Sequence, residues 1–165
     1  MKGAALLTMI LLAHDVSRGL VQEGELKLSR RYGFEYNAEA YPQKTPQELL
    51  KSILRALDFK RVDYLMAHLA DPVFVDAQVA EYKKFVNPKA KEDARVFLAF
   101  DRLVLETNQH FLEEPSIVRE FKRFAKDAQW EIKDAEAVGT VKDLFGRKMF
   151  LKKLEERWFL ENRQQ

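Results

Sequence analysis

The strongest constraint on how this chain can fold is a change of period near its C-terminal end. Over residues 45–126 apolar side chains recur every three to four positions, and beyond them they alternate. Gln129-Trp130-Glu131-Ile132-Lys133 puts Trp130 and Ile132 on one side of an extended strand and Glu131 and Lys133 on the other. Residues 137–141 form a second strand after the turn Lys133-Asp134-Ala135-Glu136. A third strand spans residues 148–154, after a turn at Leu144-Phe145-Gly146-Arg147, and Glu155-Glu156 links it to a fourth over residues 157–162. Such short links pair each strand with the one before it, so residues 128–163 are predicted to make an antiparallel meander of about four strands. Trp130, Ile132, Val138, Phe150, Trp158 and Leu160 are its inward candidates. Phe150 and Phe159 disturb the alternation, which implies that both faces are partly covered.

A sheet of this kind needs cover, and residues 45–126 offer it as helices. Thr45-Pro46-Gln47-Glu48 is a start signal: Thr45 caps, Pro46 suits the first turn and Glu48 reaches back to close a capping box. Leu49, Leu50, Ile53, Leu54 and Leu57 then lie on one stripe. A second helix over residues 61–70 buries Val62, Leu65, Met66 and Leu69 and is stopped by Asp71-Pro72. Residues 72–75 read as a short strand or as an extended lead-in to a helix over 76–85, which Asn87-Pro88 breaks. A long helix over 92–112 carries Val96, Phe97, Phe100, Val104 and Phe111 on a face wide enough to be mostly buried. A last helix over 117–126 carries Val118, Phe121, Phe124 and Ala125. The expected class is α+β, with N-terminal helices packed on a C-terminal antiparallel sheet in one domain of residues 45–163.

Few functional classes leave a mark here. The 28 basic and 26 acidic side chains leave a formal charge of +2, too near balance to imply a nucleic-acid partner. With no cysteine, disulfides, thiolate nucleophiles and cysteine zinc sites are excluded. No specific metal-binding motif is evident, His110 is not read as a ligand, and no cofactor is expected. Tyr64 and His68 lie four apart on one side of a helix, and with Asp71 orienting the imidazole they would supply a donor and a general base. The plainer reading makes both of them amphipathic residues at the edge of a buried face. Twelve phenylalanines and five tyrosines either fill a core or line a pocket, and Trp130, Phe150 and Trp158 are the ligand-binding candidates on such a pocket.

The N-terminal end has the plan of a secretory signal over residues 1–19: Lys2, then the apolar run of residues 4–13, with cleavage after Ala13 or Gly19. The run is too short for a stable membrane span. It points to export, periplasmic or extracellular; a buried helix in a cytoplasmic protein is the alternative. His14-Asp15, beside the cleavage point, is read as incidental. Residues 20–44 have no sustained period but carry Tyr32, Phe34, Tyr36 and Tyr41, too many rings for a solvated linker. They are expected to lie extended over the domain with some rings in grooves.

The capped helix Thr45-Pro46-Gln47-Glu48-Leu49-Leu50, the short helix ending Leu69-Ala70-Asp71-Pro72 and the closing strand Arg157-Trp158-Phe159-Leu160-Glu161-Asn162 together resemble the nuclear-transport-factor-2-like superfamily of α+β cone folds, in particular its uncharacterised exported bacterial domains. The resemblance covers residues 45–162. A longer middle section and four strands in place of five or six leave a helical bundle on a small sheet as the alternative architecture. The resemblance implies a cavity between helices and sheet, used in the superfamily by isomerases, dehydratases and hydrolases and also for ligand binding and dimer contacts. The inward positions here are apolar, where the superfamily's enzymes place acids or histidines. The expected function is therefore a non-enzymatic exported domain that binds a protein partner or a small apolar ligand, and a sheet face left open by the helices would favour a homodimer. An isomerase or dehydratase built on Tyr64, His68 and Asp71 is the alternative.

Overall fold

The computed structural model of the chain describes residues 27–163; the apolar run, His14, Asp15 and both cleavage positions lie outside them. Among the described residues no helix is long and apolar enough to cross a membrane.

The start signal at Thr45 acts as written. Thr45 Oγ1 accepts from the Glu48 N–H at 3.1 Å and Glu48 Oε2 accepts from the Thr45 N–H at 3.2 Å, opening helix α1 (Pro46–Asp58). Leu49, Leu50, Ile53 and Ala56 are its fully buried face. The second helix is less regular than its spacing suggests. One α turn, α2 (Val62–Tyr64), passes into a π turn (Leu65–Leu69) in which all five residues are buried and the Ala70 N–H reaches back to the Leu65 carbonyl. The wider turn delivers Ala70 to the sheet, where it bridges Leu160 in parallel while Leu160 O accepts from the Asp71 N–H at 2.8 Å.

Residues 72–75 are neither a strand nor an extended lead-in. Asp71 caps and Pro72 occupies the first turn, so helix α3 (Pro72–Lys83) begins at once. Helix α4 (Glu92–Glu113) buries Ala99, Phe100, Leu103, Thr107 and Phe111 against neighbours that include α3 and α2. The face expected to be buried holds at Phe100 and Phe111, with Val96 and Val104 partly buried, and is corrected at Phe97. Phe97 is 46% exposed and Leu98, Leu105 and Leu112 more so, because the neighbouring helices cover one side of α4 and leave its outer side in solvent. Helix α5 (Ser116–Asp127) inserts Ile117, Phe121 and Phe124 and packs along α1.

Two sheets are present among the described residues. Arg30–Arg31 and Phe34–Glu35, strands β1 and β2, make a small hairpin within the segment read as an extended linker. Its turn places Tyr32 and Gly33 both at positive φ, and a Cβ at Gly33 would stand 3.4 Å from the Phe97 ring. The predicted meander follows the helices: β3 (Gln129–Lys133), β4 (Glu136–Thr140), β5 (Lys148–Leu154) and β6 (Arg157–Leu160), each antiparallel to the last. The protein is thus α+β, with helices followed by a four-stranded antiparallel meander.

Register decides which residues share a face. Trp130 opposes Gly139, Gly139 opposes Met149, Ala137 opposes Leu151, and Leu151 opposes Leu160, so these share one side with Trp158. Met149, Leu151 and Trp158 belong to the same buried cluster as Leu49, Ile53, Phe100 and Phe124. Val138 and Phe150 oppose each other on the other side, as does the pair Lys152 and Phe159, so the six inward candidates do not form one set. Ile132, on the edge strand β3, is 54% exposed where it was expected to be buried. Phe150 and Phe159 are nonetheless buried, under the guanidinium groups of Arg163 and Arg157.

Candidate functional site

The interior polar groups gather at the π turn. Tyr64 and His68 meet as their spacing predicts, with ring centroids 4.9 Å apart. Tyr41 stacks on Tyr64 at 4.2 Å, and Tyr36 lies 6.0 Å from the His68 ring. The Tyr64 hydroxyl accepts from the Asn37 N–H at 2.9 Å. His68 is wholly buried, with Nε2 2.9 Å from the Phe34 carbonyl oxygen. A carbonyl only accepts, so Nε2 carries the proton and Nδ1 the lone pair, and Nδ1 has no hydrogen-bond partner among the described residues. Burial is the main cause that lowers the His68 pKa; the Phe34 contact opposes it, and the charges of Arg157 and Arg31 add to it. The imidazole is therefore neutral at pH 7. Burial also raises the Tyr64 hydroxyl above the ordinary phenol value.

The third member of the predicted constellation stands elsewhere. Asp71 Oδ1 accepts from the Val73 N–H at 3.1 Å and Oδ2 from Lys152 Nζ at 3.1 Å, so this carboxylate caps α3 and ties it to β5 without orienting His68. His68 is held by residues that the sequence did not single out. Gln43, fully buried, donates from Nε2 to the His68 carbonyl at 2.9 Å and to the Trp158 carbonyl at 2.8 Å. Arg31, also buried, donates from Nε to the Ala67 carbonyl at 2.9 Å and pairs with Asp76, which also receives the Tyr32 hydroxyl. These side chains take up carbonyls at the open end of the π turn. Arg157 stands 4.0 Å from the Tyr36 ring centroid and donates to the Leu28 carbonyl at 2.9 Å. The cluster is a packed polar joint around a neutral imidazole, and among the described residues no three acids or histidines stand where they could hold a metal.

The ligand-binding candidates do not converge either. Trp158 is buried in the main core, and Trp130 is half-buried with its ring laid on Gly139, where a Cβ would come within 2.7 Å. Phe150 lies on the opposite face, 5.0 Å from the Arg163 guanidinium.

Several large apolar side chains stand outside, Phe59, Phe85 and Phe145 among them, and three leucines share one helix. Leu98, Leu105 and Leu112 on α4 are 54%, 65% and 74% exposed. Seven residues are almost two helical turns, so the three lie nearly in line over about 21 Å of helix. Exposed Asp101, Arg102 and Gln109, with half-buried Asn108, fill the intervals. A single exposed leucine is ordinary; these three form a narrow apolar row along one side of the helix, with polar side chains three and four residues from each where a full coiled-coil seam would be apolar. Comparison of the chain with protein-family models, with curated proteins and with solved structures gave no match.

Proposed function

We propose that this chain is a non-enzymatic interaction domain that works after export and binds a protein partner through the outer face of α4. The observation that carries the reading is the exposed row Leu98, Leu105 and Leu112 on a 22-residue helix whose other side is anchored in the core. A row at this spacing suits a helix lying along α4 at a shallow angle, each leucine seated between side chains of the partner. The small-ligand form of the reading has less support, because Trp130, Phe150 and Trp158 do not share a pocket. The isomerase or dehydratase alternative needs a carboxylate or substrate at His68, and His68 is buried with Phe34 on Nε2 and Asp71 engaged by Lys152. The resemblance to the cone-fold superfamily is compatible with a binding role, and the apolar N-terminal run motivates export.

The test replaces all three leucines by glutamate in the full chain. Circular dichroism and the thermal midpoint should stay near those of the wild type, because the side chains are exposed. Residue-specific cross-linking in cells should place a stoichiometric partner, of this or another sequence, on α4 of the wild type and lose it in the variant. Equal cross-linking of both proteins would overturn the reading.

A further inference from the structure

Helix α5 and the loop that follows β4 concentrate positive charge that the near-balance of the whole chain conceals. With Ile117, Phe121 and Phe124 in the core, the opposite side of α5 presents Arg119, Lys122 and Lys126 to solvent over about 10 Å of helix. None of the three has an ion-pair partner among the described residues. Residues 141–147, between β4 and β5, lie along one flank of this helix. Arg147 reaches Glu120 at 3.0 Å, and Asp143 reaches Arg123, itself paired with Asp127, at 3.5 Å. The loop adds exposed Lys142. Over α5 and this loop six bases stand against three acids, all three acids are engaged by Arg123 or Arg147, and the excess is larger than the +2 of the entire chain. Glu113 and Glu114 precede the helix at its other end, so the positive field is strongest towards Lys126 and the loop.

At the tip of the loop Phe145 is 91% exposed, and Gly146 beside it takes the positive φ that closes the turn. Reversible attachment to a membrane surface takes two signals, an apolar anchor and a cluster of bases near it, and this helix and loop supply both. A single-stranded nucleic acid asks for successive rings under successive bases, and this patch exposes one ring. Phe85, the next most exposed ring, lacks the excess of charge: over residues 81–93 four lysines meet three acids, and Lys83 and Lys84 are already in ion pairs.

We propose that α5 and the 141–147 loop form a peripheral docking surface for an anionic lipid bilayer, with Phe145 entering the headgroup layer and Arg119, Lys122, Lys126 and Lys142 set against the lipid phosphates. The bases act through their summed field and need no fixed partner, so the attraction weakens as salt shortens its reach. The proposal uses none of the α4 leucines and stands or falls separately from the protein partner assigned to them.

The test floats the full chain with vesicles of phosphatidylcholine alone and with vesicles containing an equal part of phosphatidylglycerol. The apolar run of residues 4–13 is common to every variant, so the change between variants in the ratio of anionic to neutral binding reports the patch. The wild type should prefer the anionic vesicles at low salt and lose the preference as salt is raised. Lys122→Gln with Lys126→Gln should lower the ratio about 25-fold, because each base near an anionic surface contributes about fivefold. Its circular dichroism should not change, since both side chains are exposed. The chain has no cysteine, so a polarity-sensitive dye on Phe145→Cys reports that position alone. Its emission should move to shorter wavelength on anionic vesicles, and the same dye on Phe85→Cys should not respond. An unchanged ratio in the double variant, a silent dye at 145 or an equal response at 85 would overturn the proposal. So would retention of an RNA or DNA oligomer through Lys122 and Lys126 by a chain that shows no preference between the two kinds of vesicle.

Discussion

Gln43 is the residue on which the interior depends most directly. Its amide joins two carbonyls that come from distant parts of the chain, and both are taken out of water where they meet it. Gln43→Ala should cost about 3 kcal/mol in urea unfolding, since each abandoned buried carbonyl costs about 1 to 3 kcal/mol. Gln43→Glu should be no better, because a carboxylate would set oxygen against both carbonyls. No local pattern marks Gln43 in the sequence, and its role appears only when Trp158 is brought beside it. The pair Tyr64 and His68 was legible from spacing, but the burial of the imidazole was not, because the cover comes from Phe34 and Tyr36 in a segment without periodicity. His68 also gives the fold a pH dependence. Below about 6.5, the ordinary histidine value, the unfolded chain takes up a proton that folded His68 resists, so stability should fall as pH falls through and below that value. Glu120 and Glu161, whose carboxyls burial raises, act in the opposite sense, and comparison with His68→Gln separates the effects. Between pH 7.5 and 5.5 the urea midpoint of the wild type should drop further than that of the variant. Equal drops would show that His68 takes up its proton as readily folded as unfolded.

The two faces of α4 call for opposite outcomes. Phe100, nearly fully buried, stacks on Tyr32 at 4.1 Å and lies 6.2 Å from Phe34. Phe100→Ala should cost about 4 kcal/mol. Leu105→Ala, measured in dilute protein, should change stability by no more than about 0.5 kcal/mol. A large loss for Leu105 at high dilution would mean that its side is covered within the chain. Helix period put Phe100, and not Leu105, on the enclosed face, but it could not show that Phe97 at the margin of that face would stand half in solvent, because the edge of the cover is set by the neighbouring elements. The strands were legible for the same reason that their faces were misassigned. Alternation and short turns mark the meander, but Val138 and Phe150 needed the register of β4 on β5 to place them opposite Trp158. The cap at Thr45 was read in full, since Thr45 and Glu48 interact within one turn. Entry of α3 at Pro72 was missed because the apolar run Val73-Phe74-Val75 is equally suited to a strand.

At the scale of the molecule, residues 27–44 join the parts together. Arg31 reaches α3 and the π turn, Tyr32 lies on α4, Tyr41 on Tyr64, and Gln43 on β6. A chain beginning at residue 27 should keep the thermal midpoint of the full chain, whereas one beginning at residue 45 should melt far lower or lack a cooperative transition. Similar midpoints for both would show that the helices and sheet are self-sufficient. The ties at Gln43 and Arg157 span 115 and 129 residues of sequence, so neither can close before residues 157 and 158 have been made. A nascent chain therefore lacks both clasps until β6 has emerged, and long-range closures of this kind are slow to form. A chain that stops at Glu155, before β6, should remain open to proteases at every earlier junction. In a chain threaded through a membrane channel before folding, that delay would keep it slack until it has passed.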